Sequence, residues 1–224
     1  VALIFLAPLP VVALGDKATF DRRGAHHDHK KGKFRDLLAT PGLLRTALTG
    51  GLQNLGDVLF QFYMPVYAKS IGLSASVIGV ILAMNAAAAF VMRTVLPRLI
   101  RHFGESRLLA NAFYIGTLAL LLIPLFESVP ALGLLSFVFG LGLGCTGPIV
   151  TMLMFANSPP GRTGETMGLK ATFNQGIKVA GPPALGAVAG AFGLLPVFWI
   201  TAALMAYGGW VSSPRSAADS PEKN

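Results

Sequence analysis

Apolar positions in this chain come in long unbroken runs rather than in alternation, and between residues 43 and 212 they divide into six stretches, each long enough to cross a bilayer as a helix. The stretches cover 43–68, about 76–96, about 108–126, about 131–156, a fifth that follows SPPGRTGE and runs to about residue 190, and about 194–211. Upstream, residues 1–14 form a shorter apolar run broken by Pro8 and Pro10, with no positive segment ahead of it. That predicts the end of a preceding transmembrane helix rather than a signal peptide. Residues 15–42 are predicted to be a basic cytoplasmic loop and residues 213–224 a cytoplasmic tail. The pattern therefore predicts an all-α integral membrane protein, a six-transmembrane-helix bundle over 43–212 plus the end of a preceding helix.

The first stretch carries an acid, Asp57, near its middle. A helix rising about 1.5 Å per residue over 43–68 covers the ~30 Å hydrocarbon core and leaves Asp57 near the midplane. At about 100° per residue, Thr46, Gly50, Gln53, Asn54, Asp57 and Gln61 share one arc, and Leu48, Leu52, Leu55 and Leu59 lie mostly away from it. Polar groups at this depth face a protein interior or a water-filled cavity, so an intramembrane acid points to function. The plainer alternative is an Asp tied into a helix–helix contact.

Composition agrees: 53% of residues are apolar and 12% charged, with a mean hydropathy of +0.62, whereas about a quarter of a soluble domain is charged. The net charge of +8 comes from Lys and Arg in loops beside the apolar stretches, which is a topological signal and not a nucleic-acid surface. The loops at 15–42, 97–107 and 157–165 and the tail hold most of the Lys and Arg, and the opposite face has Lys69, which predicts both ends of the six-helix unit in the cytoplasm of a multi-pass plasma-membrane protein. One cysteine, Cys145, leaves no intrachain disulfide. His26, His27 and His29 stand in the basic loop without a second ligand cluster, so no metal site is expected, and no cofactor.

The fifth stretch places Lys170, Asn174, Lys178 and Gly181 on one arc, with Lys178 about as deep as Asp57. Each buried charge carries a desolvation cost of several kcal/mol that pairing offsets, so Asp57 and Lys178 are expected to approach one another. Alternatively, Lys178 turns separately into the cavity as an anion site. Arg93, near the inner end of the second stretch, reads as a snorkelling side chain. That stretch also holds Asn85 and the run Ala86–Ala89, suited to close helix packing. In FGLGLGCTGP, Gly140, Gly142, Gly144, Gly147 and Pro148 permit close approach and a bend.

Three segments then carry a resemblance. Pro97–Arg107, with Arg98, Gly104 and Arg107, is similar to the cytoplasmic G-x-x-x-D-R-x-G-R-R/K loop of the major facilitator superfamily, with Pro97, Arg101 and His102 departing from the pattern. Arg162–Gly168, including Gly164, enters the fifth helix in a similar way, and Gly176–Gly186, with Gly181 and Pro182, resembles a degenerate glycine-proline motif of its drug antiporters. The chain as a whole resembles the carboxy-terminal half of the twelve-helix fold, preceded by the end of the sixth helix and the central loop. The resemblance implies that residues 43–68 and 131–156 are the seventh and tenth helices, which line a central cavity, and that an amino-terminal helix bundle is missing here. It further implies alternating access, with the bilayer, a small-molecule substrate and protons as partners. On that footing the expected function is secondary, proton-coupled efflux of a small molecule. Asp57 would carry the proton, Gln53, Asn54, Gln61, Asn85, Lys170, Asn174 and Lys178 would meet substrate, and Tyr63 would offer an aromatic edge. Uptake or exchange of an organic anion is the alternative that Lys170 and Lys178 favour. A free-standing six-helix channel or accessory protein, expected as a homodimer, is the alternative of another class. An enzyme is not expected, because the histidines lie in loops and one acid alone is mid-membrane. Nor is a phosphate-binding loop for ATP visible.

Overall fold

A computed structural model describes residues 41–213. The expected helix end at 1–14, the loop with its histidines up to residue 40, and the tail beyond 213 lie outside the described residues. Seven α-helices form among the described residues: α1 Pro41–Ser70, α2 Ala75–Phe103, α3 Glu105–Leu122, α4 Val129–Gly144, α5 Thr146–Ala156, α6 Thr163–Phe192 and α7 Leu194–Ser212. A 3₁₀ turn, Ile123–Leu125, extends α3. Four segments are long and apolar enough to cross a membrane: Ala75–Phe103, Glu105–Leu125, Val129–Ala156 and Leu194–Ser212. The other two long helices, α1 and α6, have 30 residues each, about 45 Å at helical rise. They fall short in apolarity because of their interior polar residues, among them Gln53, Asn54, Asp57, Lys170, Asn174 and Lys178.

Two expectations change here. The stretch 97–107, read as a loop, is helix except at one residue: α2 runs to Phe103, α3 starts at Glu105, and Gly104 alone turns the chain at φ 77°. A side chain is strained in that region of backbone space, which is why glycine sits there. Arg98 therefore lies on the last turns of α2 and Arg107 in the first turn of α3, both exposed. The expected bends also divide unequally. In 129–156 the helix breaks at Cys145, since Pro148 has no N–H for the Gly144 carbonyl. Side chains take up neighbouring carbonyls: Thr146 Oγ1 donates to the Leu143 oxygen at 2.7 Å and Cys145 Sγ to that of Gly142 at 3.2 Å. At Gly181-Pro182-Pro183, by contrast, α6 continues unbroken to Phe192.

Glycines decide which helices meet, as expected where lipid and protein interior are equally apolar and van der Waals contact drives association. On α1, Gly50 faces Val150 of α5, Gly51 faces Ile177 of α6, and Gly56 faces Met205 of α7. On α4, Gly140 and Gly144 lie against Asn85, Ala88 and Ala89 of α2, so the second half of the alanine run serves the expected close packing while Ala86 and Ala87 are exposed. On α7, Gly208 receives the ring of Phe113 from α3, and Gly209 meets the Phe113 Cβ and the ring of Tyr114. Inside, Phe60 stacks on Phe139 with centroids 4.4 Å apart, and Tyr67 meets Phe198 edge-on at 5.6 Å.

The start of α1, the start of α3, the end of α5 and the end of α7 surround one small polar hollow, which Arg45, Ser106, Asn157 and Ser212 help to line. Alternation of the helices therefore puts Arg45, Arg98, Arg101, Arg107 and Arg162 towards one end and Lys69 towards the other. Within that hollow, Arg45 Nε donates to the Val211 carbonyl at 2.8 Å and its Nη2 donates to the carbonyls of Val211 and Ser213. These are carbonyls that a helix end leaves without internal partners. Replacing Arg45 by Gln is expected to cost about 2 kcal/mol, the scale of a charged hydrogen bond. The check is a lower thermal midpoint in detergent together with earlier proteolysis of the end of α7.

Candidate functional site

Asp57 is half-buried on α1 and opens onto a cavity of about 380 Å³ between α1 and α2. Gln61, one turn on, donates from Nε2 to Asp57 Oδ2 at 2.9 Å. Across the cavity stand Asn85, Ala89 and Arg93 of α2, spaced four apart on one helical face, and Leu82 and Ala86 supply apolar wall. Arg93 precedes the end of α2 by ten residues, about 15 Å of helix. The extra turns from Pro97 to Phe103 carry it deeper than a span ending at Leu96 allows. Sequence reading missed its membership of the site for that reason, although its four-residue spacing from Asn85 was a usable signal.

Asp57 and Lys178 make no ion pair in this conformation. Lys178 is exposed on α6, and both it and Arg93 act on Asp57 through space rather than through contact. The stripe on α1 is only partly open. Thr46, Gly50 and Asn54 are buried, Gln53 and Asp57 are half-buried, and Gln61 is exposed. Asn54 Nδ2 donates to the backbone oxygen of Asn174 at 3.0 Å, and Tyr63 Oη donates to that of Pro182 at 2.8 Å. Both side chains, read as cavity candidates, thus lie in the seam between α1 and α6. Gly181 meets Leu55 in the same seam. Lys170 Nζ donates to Thr151 Oγ1 of α5, a partner that the sequence did not suggest.

A second hollow, of about 610 Å³, lies among α1, α6 and α7, with Leu55, Phe173, Ile177 and Leu204 in its wall. It offers apolar contact, whereas the Asp57 cavity offers charge. At the basic end, Arg162 pairs with Glu165, its Nε donating to Oε2 at 2.9 Å. Gly164 sits in the first turn of α6 with open space around it.

The model of the Major Facilitator Superfamily matches residues 1–180 and 46–224, which together cover the whole chain. The chain belongs to the Major Facilitator Superfamily. It is a multi-pass integral membrane protein of that superfamily of transporters, as its apolar helices also require. Among curated relatives, it is 28% identical over 178 residues to the multi-drug resistance efflux pump PmrA of Streptococcus pneumoniae, across 78% of this chain and 43% of that protein. It is 25% identical over 226 residues to the multidrug resistance protein MdtG of Klebsiella pneumoniae, across 99% of this chain and 54% of that one. The chain therefore spans about half the length of the curated relatives it matches. In the α1/α2 cavity, the side chains with chemistry to offer are Asp57 and Gln61 of α1 and Asn85 and Arg93 of α2.

Proposed function

We propose that the chain forms the carboxy-terminal six-helix half of a secondary transporter that exports small organic molecules in exchange for protons, working by alternating access against an amino-terminal bundle. The observation that carries this reading is the half-buried Asp57 opening onto the α1/α2 cavity, within a helix long enough to span the bilayer. A carboxylate there can hold a proton when its surroundings are apolar and give it up when water or a cation is near. The coverage of about half of each relative favours the two-bundle arrangement, and the relatives' names favour efflux. The basic end, with Arg98, Arg101, Arg107 and Arg162, would face the cytoplasm. Gln53, which remains half-buried on the stripe, and Asn174 and Lys178 on α6 would meet substrate when the second bundle encloses the cavity.

The reading is tested in proteoliposomes loaded with a pH-sensitive dye and holding the twelve-helix form of the protein. Adding a transported substrate is expected to change the dye signal with the sign of proton counter-movement. Substrate movement without a dye response excludes proton coupling. Lys178, exposed and unpaired with Asp57, favours a second reading as an organic-anion exchanger. That reading requires Lys178→Gln to weaken anion uptake.

A further inference from the structure

The α1/α2 cavity holds opposite charges that do not touch. Asp57 engages Gln61 through Oδ2, and its Oδ1 has no hydrogen-bond partner among the described residues. Arg93, on the facing wall, makes no hydrogen bond or ion pair among the described residues either. The wall between them is Leu82 and alanine, with Asn85 as an uncharged donor and acceptor. A cavity of about 380 Å³ falls within the range of small-molecule sites. A ligand bearing only a cation would satisfy Asp57 and leave the Arg93 guanidinium without a counter-charge, and a ligand bearing only an anion would do the reverse. One ligand can satisfy both only if it carries both charges. Lys178, the other cation acting on Asp57, does so from α6 and lies outside the cavity wall.

We propose that the α1/α2 cavity is a dipolar subsite that selects amphoteric organic molecules, with a protonated amine at Asp57 and an acidic group at Arg93. This rests on the transport reading for the identity of the cavity, and adds the charge class of what it takes. Arg93 acts as a specificity-determining residue through the charge that it presents to the ligand. Its exposure on α2 leaves the guanidinium reachable from the open side of the cavity.

The test uses three probes on one ring system: tryptophan, which carries both charges, tryptamine, which carries the amine, and indole-3-propionate, which carries the acid. Equilibrium binding of each labelled probe is measured on the protein in lipid nanodiscs. Tryptophan is expected to bind at least about tenfold more tightly than either singly charged analogue, since mismatched charge is what complementary sites reject. Arg93→Gln should bring tryptophan down to the level of tryptamine, and Asp57→Asn should bring it to that of indole-3-propionate. Arg93→Lys, which keeps the charge, should keep the preference. Absence of binding by all three probes, equal affinity for them, or a preference that survives Arg93→Gln overturns the proposal. If the dye assay shows no proton movement while the charge preference holds, the coupling reading fails and the subsite stands. If protons move and the preference is absent, the subsite alone fails.

Discussion

Everted vesicles containing the Asp57→Asn protein in its twelve-helix form, with an acidic lumen, are expected to hold substrate at the external concentration. The native form, exchanging one proton per substrate across one pH unit, concentrates it about tenfold. The asparagine keeps the size of the side chain and an oxygen that Gln61 Nε2 can still reach, so the cavity persists while the protonatable group is lost. Exchange between equal concentrations on the two sides requires alternation but no net proton transfer, and should survive in part. Measuring both fluxes in one preparation separates a coupling defect from a folding defect. Undiminished accumulation by the asparagine variant would remove Asp57 from the mechanism, and Lys178 and Arg93 would then need to be examined for anion exchange.

The largest stability effect is expected from Gly140→Val on α4. A Cβ at this position runs into the backbone oxygen and side chain of Asn85 and lies 3.0 Å from the Ala88 Cβ. A helix backbone cannot yield as the tip of a flexible side chain can, so α2 and α4 must move apart. Overpacking of this kind costs about 1–3 kcal/mol, with this site at the upper end because the obstacle is main chain. Gly144 is similarly placed, its Cβ position 2.6 Å from the Ala89 Cα. Gly147→Ala, whose Cβ meets open space, is the matched control and should leave the thermal midpoint near the native value. Equal midpoints for Gly140→Val and Gly147→Ala would contradict the packing. Because Asn85 also lines the α1/α2 cavity, Gly140→Val should weaken substrate binding alongside stability.

The helical elements were legible in the sequence because a bilayer leaves the backbone few alternatives. Each segment must satisfy its own N–H and C=O groups, and the thickness of the hydrocarbon core sets its length, so runs of apolar residues and the cations between them carry most of the information. Asp57 stood out for the same reason, since an acid in such a run is conspicuous without any knowledge of its neighbours. Helix ends were less legible: Pro97 to Phe103 is polar enough to read as a loop, yet it continues α2 until Gly104 turns the chain. That difference in length concealed how deep Arg93 lies.

What the sequence by itself determined is the all-helical, membrane-spanning character of the chain, the order of its helical stretches, and the position of Asp57 in the interior of its helix. Only the tertiary structure decided which part of the polar stripe stays open. Asn54 and Tyr63 share α1 with Asp57, but they face α6 and hydrogen-bond to its backbone, while Asp57 and Gln61 face the cavity wall carrying Arg93. Periodicity fixes the angles between residues on one helix and says nothing of how that helix is rotated against the next. The rotation follows from contacts such as Gly51 on Ile177 and Gly140 on Asn85, where the fit of small residues on two different helices sets the interface.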